Sequence, residues 1–297
     1  MKLLVQQFRR RGIFKDITVK SAKKNITQFY QLRHHVNLTL IGPPGAGKGT
    51  YGKLLMQDFN HSQSLEDKSK HHPFILSAGD VLRNHVINNT EIGQKVSECQ
   101  RSGKLADDNL VSRALLEDLH GRTQYMNSSD TKFTNLGFIL DGYPRTIKQA
   151  ENVSPQTSKS TPSGWPSHLQ IHYAVSVEVP FFVCKPKILG RRKCNECGES
   201  FNINCVDQDG FYMPALLPEC SCFESAKDTD FNQSKWDMRS DDTEDILEAR
   251  YNEFLIETEP VIQYYEQIGR LIRFIPYKGV QDVDKLRGLV RQKLMNQ

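Results

Sequence analysis

The sequence predicts an α/β fold in which a parallel, five-stranded sheet is covered by helices on both faces. Five short apolar runs alternate with longer segments of helical pattern, which is the order expected of strand–helix–strand units. The runs are continuously apolar rather than alternating, as strands buried on both faces should be. At 297 residues the chain can hold one large domain with insertions or two smaller domains.

Each element is predicted from its local pattern. The predicted strands are residues 38–41, 74–76, 138–140, 173–179 and 271–275. The predicted helices are at about 48–58, 79–87, 108–119, 146–152, 181–192, 241–268 and 280–295. Polar residues 60–72 and Pro- and Ser-containing residues 154–168 are predicted to be surface connections. Residues 193–238 have no helical period and contain five cysteines, so they are interpreted as an inserted module outside the sheet.

Charge is divided unevenly along the chain. Residues 1–36 contain nine Lys or Arg and one acid, Asp16, giving +8, which leaves −4 for the rest of a chain whose net charge is +4. A mildly acidic body does not indicate a nucleic-acid partner. The basic segment has the composition of a mitochondrial targeting peptide, which predicts a location in the matrix or intermembrane space. A solvated basic tail or a surface helix of a cytoplasmic protein is the alternative.

Two further features bound the class of protein. No run of about 18 apolar residues predicts a membrane span. The seven cysteines are an odd number in a chain without a secretory signal, which favours free thiols in a reducing compartment over a disulfide framework.

Residues 42–50, with the sequence GPPGAGKGT, follow the first predicted strand and precede a predicted helix. A glycine-rich turn in this position directs backbone N–H groups and a helix N-terminus at phosphate, and Lys48 is expected to reach the outer phosphates. The general P-loop pattern has Ser or Thr directly after the lysine, whereas here Gly49 intervenes and the hydroxyl comes at Thr50. This variant resembles the loop of the adenylate kinases and predicts a three-layer P-loop NTPase fold.

Five more motifs occur in the order found in the adenylate kinases, and the resemblance covers about residues 37–295. They are residues 77–83 (SAGDVLR), 103–107 (GKLAD), 141–150 (DGYPRTIKQA), 190–192 (GRR), and 239–242 (RSDD) with Arg250 eleven residues after Arg239. The resemblance implies a kinase domain at 37–297, and the basic composition of residues 1–36 predicts a targeting segment before it. Within the kinase domain the resemblance implies a helical acceptor-binding insertion at 77–121 and a cysteine-bearing lid at 187–238. It also implies a monomer.

The activity that the resemblance implies is Mg²⁺-dependent phosphoryl transfer, ATP + AMP ⇌ 2 ADP. Positioning and charge neutralisation supply most of the catalysis in such reactions, and arginine grips phosphate with two parallel hydrogen bonds. The expected catalytic residues are Lys48, Arg145, Arg191, Arg239 and Arg250, with Asp141 holding Mg²⁺ through water. A GTP:AMP phosphotransferase is the alternative within this class, and a nucleotide-binding sensor without turnover is the alternative outside it.

The resemblance also assigns the two nucleotide sites. The expected ATP-binding residues are Gly45, Ala46, Gly47, Lys48, Gly49, Thr50, Lys187, Arg191, Ser200 and Phe201. The expected AMP-binding residues are Ala78, Arg83, Lys104, Leu105, Ala106, Gly142, Arg145, Gln149, Arg239 and Arg250. The Gln149 amide offers both a donor and an acceptor, which suits the edge of adenine.

Three positions depart from the family pattern. Ala78 stands where Thr is usual, so one hydroxyl contact worth about 1 kcal/mol is missing. Lys187 stands where an arginine usually stacks on the donor base, and lysine lacks the flat guanidinium that stacks well. ATP, GTP and ITP therefore all remain possible donors. Tyr51 replaces the usual Gln and has no interpretation from the sequence.

The cysteines of the predicted lid form two pairs. Cys194 and Cys197 have C-x-x-C spacing, and Cys220 and Cys222 follow as C-x-C. Four thiolates could hold a structural Zn²⁺ that supplies folding energy to a lid with little core. Cys205 is a competing ligand, and a metal-free lid with buried thiols is the alternative.

Overall fold

A computed structural model describes residues 36–61, 73–101, 106–123, 136–155, 164–218, 236–239 and 241–295. Its strands are β1 (Val36–Ile41), β2 (Phe74–Ser77), β3 (Leu136–Asp141), β4 (Tyr173–Val177), β5 (Arg191–Cys194), β6 (Ser200–Asn202), β7 (Val206–Gln208), β8 (Phe211–Met213), β9 (Trp236–Asp237) and β10 (Leu271–Phe274). Its helices are α1 (Lys48–His61), α2 (Ala78–Ile87), α3 (Glu91–Arg101), α4 (Asp108–Thr123), α5 (Ile147–Val153), α6 (Phe181–Leu189), α7 (Glu244–Glu253), α8 (Glu259–Gln267) and α9 (Val283–Met295).

The predicted five-stranded parallel sheet is confirmed. Its strand order is β10-β4-β1-β3-β2, and every pairing in it is parallel. The five predicted apolar runs are its five strands. Since parallel strands end at the same edge of the sheet, the segments that follow β1, β2, β3 and β4 all meet at one carboxyl edge.

Helices cover both faces of this sheet, so the fold has three layers. On one face, Leu38 and Leu40 of β1 pack with Leu55 of α1 and with Leu286 and Val290 of α9. The core of the opposite face contains residues from α4, α5 and α8, among them Leu115, Ala150 and Val261. Burial on both faces explains why the strands are continuously apolar.

Two predicted helices are bounded differently from the expectation. The helix predicted at 181–192 ends at Leu189, because Gly190 closes it and β5 begins at Arg191. A side chain on Gly190 would lie 2.7 Å from atoms of Asn204, so only glycine fits this junction. The helix predicted at 241–268 begins at Glu244 and is interrupted by one π-helical turn at Phe254–Thr258.

The surface connection predicted at 154–168 contains a buried side chain in its second half. Trp165 is buried, and its ring stacks on Tyr143 with 5.8 Å between ring centroids. The Trp165 indole N–H donates to the Ser112 hydroxyl at 2.8 Å, and Leu169 in the following 3₁₀ turn is fully buried. Gly164, Ser167 and His168 are exposed, so the turn itself stays at the surface, and the Trp165 and Leu169 side chains anchor it to the core.

Residues 193–238 are not irregular where the structure describes them. Strands β6, β5 and β9 form an antiparallel sheet whose small core contains Cys194, Phe201 and Trp236. Strands β7 and β8 form a separate hairpin whose turn residues, Asp209 and Gly210, have φ of 50° and 82°. An Asp-Gly pair is a strong signal for a two-residue hairpin turn, so this element was predictable from the sequence.

Some predictions fall on residues that the structure does not describe. They concern nearly all of the proposed targeting segment, the acceptor-site residues Lys104 and Leu105, and the second cysteine pair, Cys220 and Cys222. Within the described ranges, no helix is both long and apolar enough to cross a membrane.

Candidate nucleotide-binding site

The phosphate-binding loop connects β1 to α1 at the carboxyl edge of the sheet. Gly45 and Gly47 have φ of 86° and 82°, a conformation that side chains disfavour. A Cβ on Gly45 would lie 2.6 Å from the carbonyl oxygen of Cys184, which shows how closely the loop packs on α6. Ala46 is buried, and the backbone of Gly49 and Thr50 forms the first turn of α1. The loop therefore has the concave form that a phosphate requires.

Tyr51 supports this loop from below. The Tyr51 ring is buried, and a Cβ on Gly47 would lie 3.1 Å from it. The ring also packs edge-on against Phe274 of β10, with 5.1 Å between centroids. Burial raises the pKa of Tyr51 far above its usual value, so the phenol stays neutral. The unexplained substitution thus places a rigid apolar support between the loop and the sheet.

Lys48 points back into its own loop. Its ammonium donates to the carbonyl oxygens of Gly42 and Pro43, both at 2.9 Å. Burial lowers the pKa of Lys48 to about 8, although the nearby Asp141 carboxylate opposes the shift. A cation held only by two neutral carbonyls is well placed to accept an anionic ligand.

Asp141 ends β3 beside the loop, paired with Leu40 of β1. A Cβ on Gly49 would lie 3.1 Å from the Asp141 Oδ2 atom, which explains why glycine rather than Ser or Thr follows the lysine. Burial raises the pKa of Asp141, while Lys48 counteracts the rise. In the part of the chain that the structure describes, no three His, Cys, Asp or Glu side chains converge on a metal position. A cation here would therefore share one carboxylate with ligands from elsewhere, as Mg²⁺ bound to a nucleotide does.

Three of the five predicted catalytic cations line a single cleft. Lys48, Arg145 and Arg250 surround it together with Glu253 and Thr258, and its floor is formed by the ends of β1 and the Gly142 turn. Arg145 Nε donates to the Gly142 carbonyl at 3.0 Å, and Arg250 pairs with Asp241 at 2.8 Å. Burial, followed by the charge of Arg250, lowers the pKa of Arg145, with Glu253 acting in the opposite direction.

The other predicted arginines form a second group. Arg191 makes a two-point ion pair with the fully buried Asp242, in which Arg191 Nε lies 2.7 Å from Oδ2. Arg83 pairs with Asp80 on α2. Arg239 lies within electrostatic reach of both, because the charges of Arg191 and Arg83 add to burial in lowering its pKa. The charges of Arg191 and Arg83 therefore both act on Arg239.

On the acceptor side, the Gln149 amide already has partners. Gln149 is buried; its Oε1 accepts from the Arg145 backbone N–H at 2.7 Å, and its Nε2 donates to Asp108 Oδ1 at 2.6 Å. The Thr146 hydroxyl donates to the other Asp108 oxygen at 3.1 Å. Both the oxygen and the nitrogen of the Gln149 amide are therefore engaged with protein groups in this structure.

Three more of the residues predicted to bind AMP are Ala78, Ala106 and Gly142. Ala78 is buried at the first turn of α2, whose N-terminus is capped by the Ser77 hydroxyl. Ala106 is partly buried against the core. Gly142 has a φ of 75°, which allows the sharp turn that directs Arg145 into the cleft.

On the donor side, two expected contacts are engaged elsewhere. Phe201 is buried in the small β5–β6–β9 sheet, edge-on to Trp236 with 5.0 Å between centroids, whereas its neighbour Ser200 is exposed. The Lys187 ammonium donates to the carbonyl oxygens of Asn204, Met213 and Pro214 at 2.6, 3.2 and 3.0 Å. The cysteines at the tip of that small sheet are Cys194, which is buried, and Cys197, which is exposed, as is Cys205 further along.

Three residues of the site were missed from the sequence. Asp108 has a recognisable signal, since an acid at the start of a helix is common and it directly follows the GKLAD motif. Glu253 and Thr258 had none, because the π-helical turn that directs them to the cleft interrupts a pattern that looked like one continuous helix.

Comparison with known proteins agrees with this geometry. The family model for adenylate kinase matches residues 40–270. The chain is 30% identical over 250 residues to the GTP:AMP phosphotransferase of Plasmodium falciparum, covering 84% of this chain and 93% of that protein. It is 30% identical over 251 residues to the adenylate kinase of Fervidobacterium nodosum, covering 84% and 95%. It is 29% identical over 246 residues to the chloroplastic adenylate kinase 1 of Arabidopsis thaliana, covering 81% and 72%.

The family match extends from the phosphate loop, through both groups of cations, to the start of β10, and the relatives align over most of their own length. This chain belongs to the adenylate kinase family of phosphotransferases.

Proposed function

We propose that this protein transfers a phosphoryl group from a nucleoside triphosphate, foremost ATP, to AMP, and forms ADP in the reversible reaction ATP + AMP ⇌ 2 ADP. The observation that carries the proposal is the single cleft lined by Lys48, Arg145 and Arg250 beside a formed phosphate loop. Two polyanions brought together need several fixed cations, and this cleft supplies three of them.

Each cation has a distinct role in this proposal. Lys48 and the loop N–H groups hold the outer phosphates of the donor, and Arg145, with Arg83, holds the phosphate of AMP. Arg191, Arg239 and Arg250 neutralise the charge on the group in transfer. Their ion pairs with acids, such as Arg250 with Asp241, keep the guanidinium groups oriented before the phosphates arrive. No side-chain base is required, because the AMP phosphate is itself the nucleophile.

Asp141 supports a magnesium site. Its carboxylate is buried beside Lys48 and lies at the mouth of the loop. When bound with the donor, Mg²⁺ would neutralise phosphate charge and align the phosphates. Asp141 would hold it through water, because Mg²⁺ gives up its bound waters reluctantly.

The predicted division into an acceptor insertion and a lid belongs to the same proposal. Helices α2, α3 and α4, between β2 and β3, would close over AMP, and residues of 187–238 would close over the donor. Such closure excludes water, which would otherwise accept the phosphoryl group. We propose that the chain works as a monomer, as is usual for the family that it belongs to.

Donor choice is tested by measuring ADP formation from AMP and Mg²⁺ with ATP, GTP or ITP. Fast turnover with ATP supports the ATP-dependent reaction. Turnover with GTP or ITP alone would instead make this chain a GTP:AMP phosphotransferase, the activity for which the Plasmodium relative is named. If no ADP forms with any of the three donors, the proposal is overturned and a nucleotide-binding sensor is favoured.

A structural zinc in the lid is a further proposal. Cys194 and Cys197 lie on the turn from β5 to β6, which is closed by a hydrogen bond from Gly198 N–H to Cys194 O at 2.9 Å. With Cys220 and Cys222 they would complete a four-thiolate site, and Cys205 is the rival ligand. Metal analysis of the purified chain should find one zinc per molecule, and a Cys197→Ser variant should lose it. A metal-free wild-type chain would contradict this assignment.

The basic composition of residues 1–36 supports location in an organelle, which we propose is the mitochondrial matrix or intermembrane space. Named relatives include chloroplastic proteins. Residues 1–36 fused to a fluorescent protein should direct it to mitochondria. A diffuse cytoplasmic signal would contradict the proposal.

A further inference from the structure

The side chains of the β7–β8 hairpin pack on the core, and the hairpin meets the small sheet where Leu216, after β8, exchanges two backbone hydrogen bonds with Asn202 at the end of β6. Its inward side chains, Val206, Phe211 and Met213, are buried in the same cluster as the residues under the phosphate loop. The small β5–β6–β9 sheet, in contrast, has its own separate core. The segment predicted as one lid therefore contains two parts with different attachments.

Contacts across this interface are extensive. The Phe211 ring lies edge-on to Phe182 of α6 at 5.9 Å and tilted against Tyr277 at 5.0 Å, between centroids. The Tyr212 backbone N–H donates to the Tyr277 carbonyl at 2.7 Å. Met213 lies so close to Gly279 that a Cβ there would be 3.4 Å from its side chain. The hairpin thus bridges α6 and the turn that follows β10.

Lys187, on α6, binds both ends of the hairpin through hydrogen bonds from its ammonium. The three acceptors of its ammonium lie just before β7 (Asn204), at the end of β8 (Met213) and just after β8 (Pro214). Two amides reinforce the junction, because Asn202 donates to the Lys187 carbonyl at 2.6 Å and Asn204 donates to the Pro186 carbonyl at 2.8 Å. Burial lowers the pKa of Lys187. Where the ammonium is shielded from water, the three carbonyl oxygens accept its hydrogen bonds.

We propose that Lys187 is a positioning residue that locks the β7–β8 hairpin to the core as a fixed wall of the donor site, so that the β5–β6–β9 sheet closes without the hairpin. An ammonium has three N–H donors, and all three are occupied here, so it does not face a base. The role of the hairpin as a wall of the donor site rests on the proposed function. The attachment of the hairpin to the core by Lys187 does not depend on that function.

Distance measurements on the full chain test the lock directly. Spin labels attached to unnatural amino acids would be placed at Asp209 in the hairpin, at Glu196 in the small sheet and at Gln57 on α1 as the reference. Without nucleotide, the Asp209–Gln57 distance should have a narrow distribution and the Glu196–Gln57 distance a broad one. Lys187→Met should broaden the first and leave the second unchanged. A broad Asp209 distribution in the wild type, or a narrow one in Lys187→Met, would overturn the proposal.

Nucleotides separate this proposal from the proposed function. A nonhydrolysable ATP analogue with AMP should shorten the Glu196–Gln57 distance and leave the Asp209–Gln57 distance unchanged. If both distances shorten together, the hairpin is part of the lid and the lock is refuted. If neither responds, the nucleotide function fails, whereas the nucleotide-free distributions still decide the lock.

Kinetics distinguish a positioning role from base stacking. Lys187→Met should raise the KM for ATP and for GTP by the same several-fold factor and leave the KM for AMP unchanged. Lys187→Arg should not rescue this loss, since a flat guanidinium cannot reach three carbonyls around one point. Lys185→Met is the matched control, because Lys185 is on the same helix and pairs on the surface with Glu244. A lower KM for ATP in Lys187→Arg would show stacking and contradict the proposal.

Discussion

Gly49 shows how one residue can depart from a general motif for a local physical reason. At Gly49, where most phosphate loops have Ser or Thr, a Cβ would lie 3.1 Å from an oxygen of the Asp141 carboxylate, which is a tight contact. The hydroxyl therefore comes one residue later, at Thr50. Sequence comparison identifies the variant, and the carboxylate explains it.

Gly49→Ala should lower kcat by about 10- to 100-fold, because displacing Asp141 or the loop by a few tenths of an ångström misaligns the phosphates. Steady-state ADP formation with ATP and AMP measures the loss. Gly288→Ala is the control, since a Cβ there meets no atom within 4 Å. Wild-type kcat in Gly49→Ala would mean that the Asp141 position is not critical.

Lys48 should make donor binding depend on pH. Its pKa is lowered to about 8 by burial, so the nucleotide-free enzyme loses the charge as pH rises through that value. We expect kcat/KM for ATP to fall about tenfold per pH unit above it, since this parameter reports the free enzyme. Lys53→Met, at an exposed position of the same helix, should keep the same profile. A kcat/KM that stays flat to about pH 10 would contradict the shift.

Lys48→Met should reduce turnover by about 100-fold or more, the usual cost of removing one preorganised charge that stabilises a transition state. Lys53→Met again serves as the control in the same ADP assay. Unchanged ADP formation in Lys48→Met would remove Lys48 from the catalytic set.

Partners of individual side chains were the least predictable feature at this scale. The positions of Gln149 and Lys187 follow from their motifs, but their hydrogen bonds to Asp108 and to the hairpin carbonyls do not. Those bonds join residues that are distant in sequence, and only the folded packing brings them together.

At the scale of elements, the sheet was predictable because strands covered on both faces have a simple apolar signature. The π-helical turn at Phe254–Thr258 was not, because its helical periodicity is displaced by a single residue. The buried Trp165 was missed for a related reason: prolines and glycines indicate a turn but not what covers it.

Helices α2 and α3 cross so closely that only glycine fits at Gly93, where a Cβ would overlap the backbone of His85. Gly93→Ala should therefore destabilise the protein by about 1–3 kcal/mol and raise the KM for AMP while sparing that for ATP. Thermal unfolding and kinetics measure the two effects.

The control for that substitution is Gly121→Ala on α4, where a Cβ would meet nothing within 4 Å. Replacing an open helical glycine should stabilise the protein by up to about 1 kcal/mol. Equal KM values for AMP in Gly93→Ala and the wild type would show that the α2–α3 crossing does not shape the acceptor site.

At the scale of the whole molecule, the two tryptophans of the chain report on two regions. Trp165 stacks on Tyr143 next to the acceptor arginine, whereas Trp236 lies in the small sheet. AMP alone should change the emission of a Trp236→Phe variant, which retains only Trp165. A donor analogue alone should change the emission of Trp165→Phe. If each ligand alone changed both variants equally, the two regions would be closing as one body.

The central claim is direct transfer between two nucleotides in a cleft that excludes water. It is tested most directly by following the γ-phosphate of labelled ATP with the full chain, Mg²⁺ and AMP. We expect the label to appear as the β-phosphate of the ADP formed from AMP, with release of free phosphate at least about 100-fold slower. Release of labelled free phosphate at a similar rate with and without AMP would contradict it.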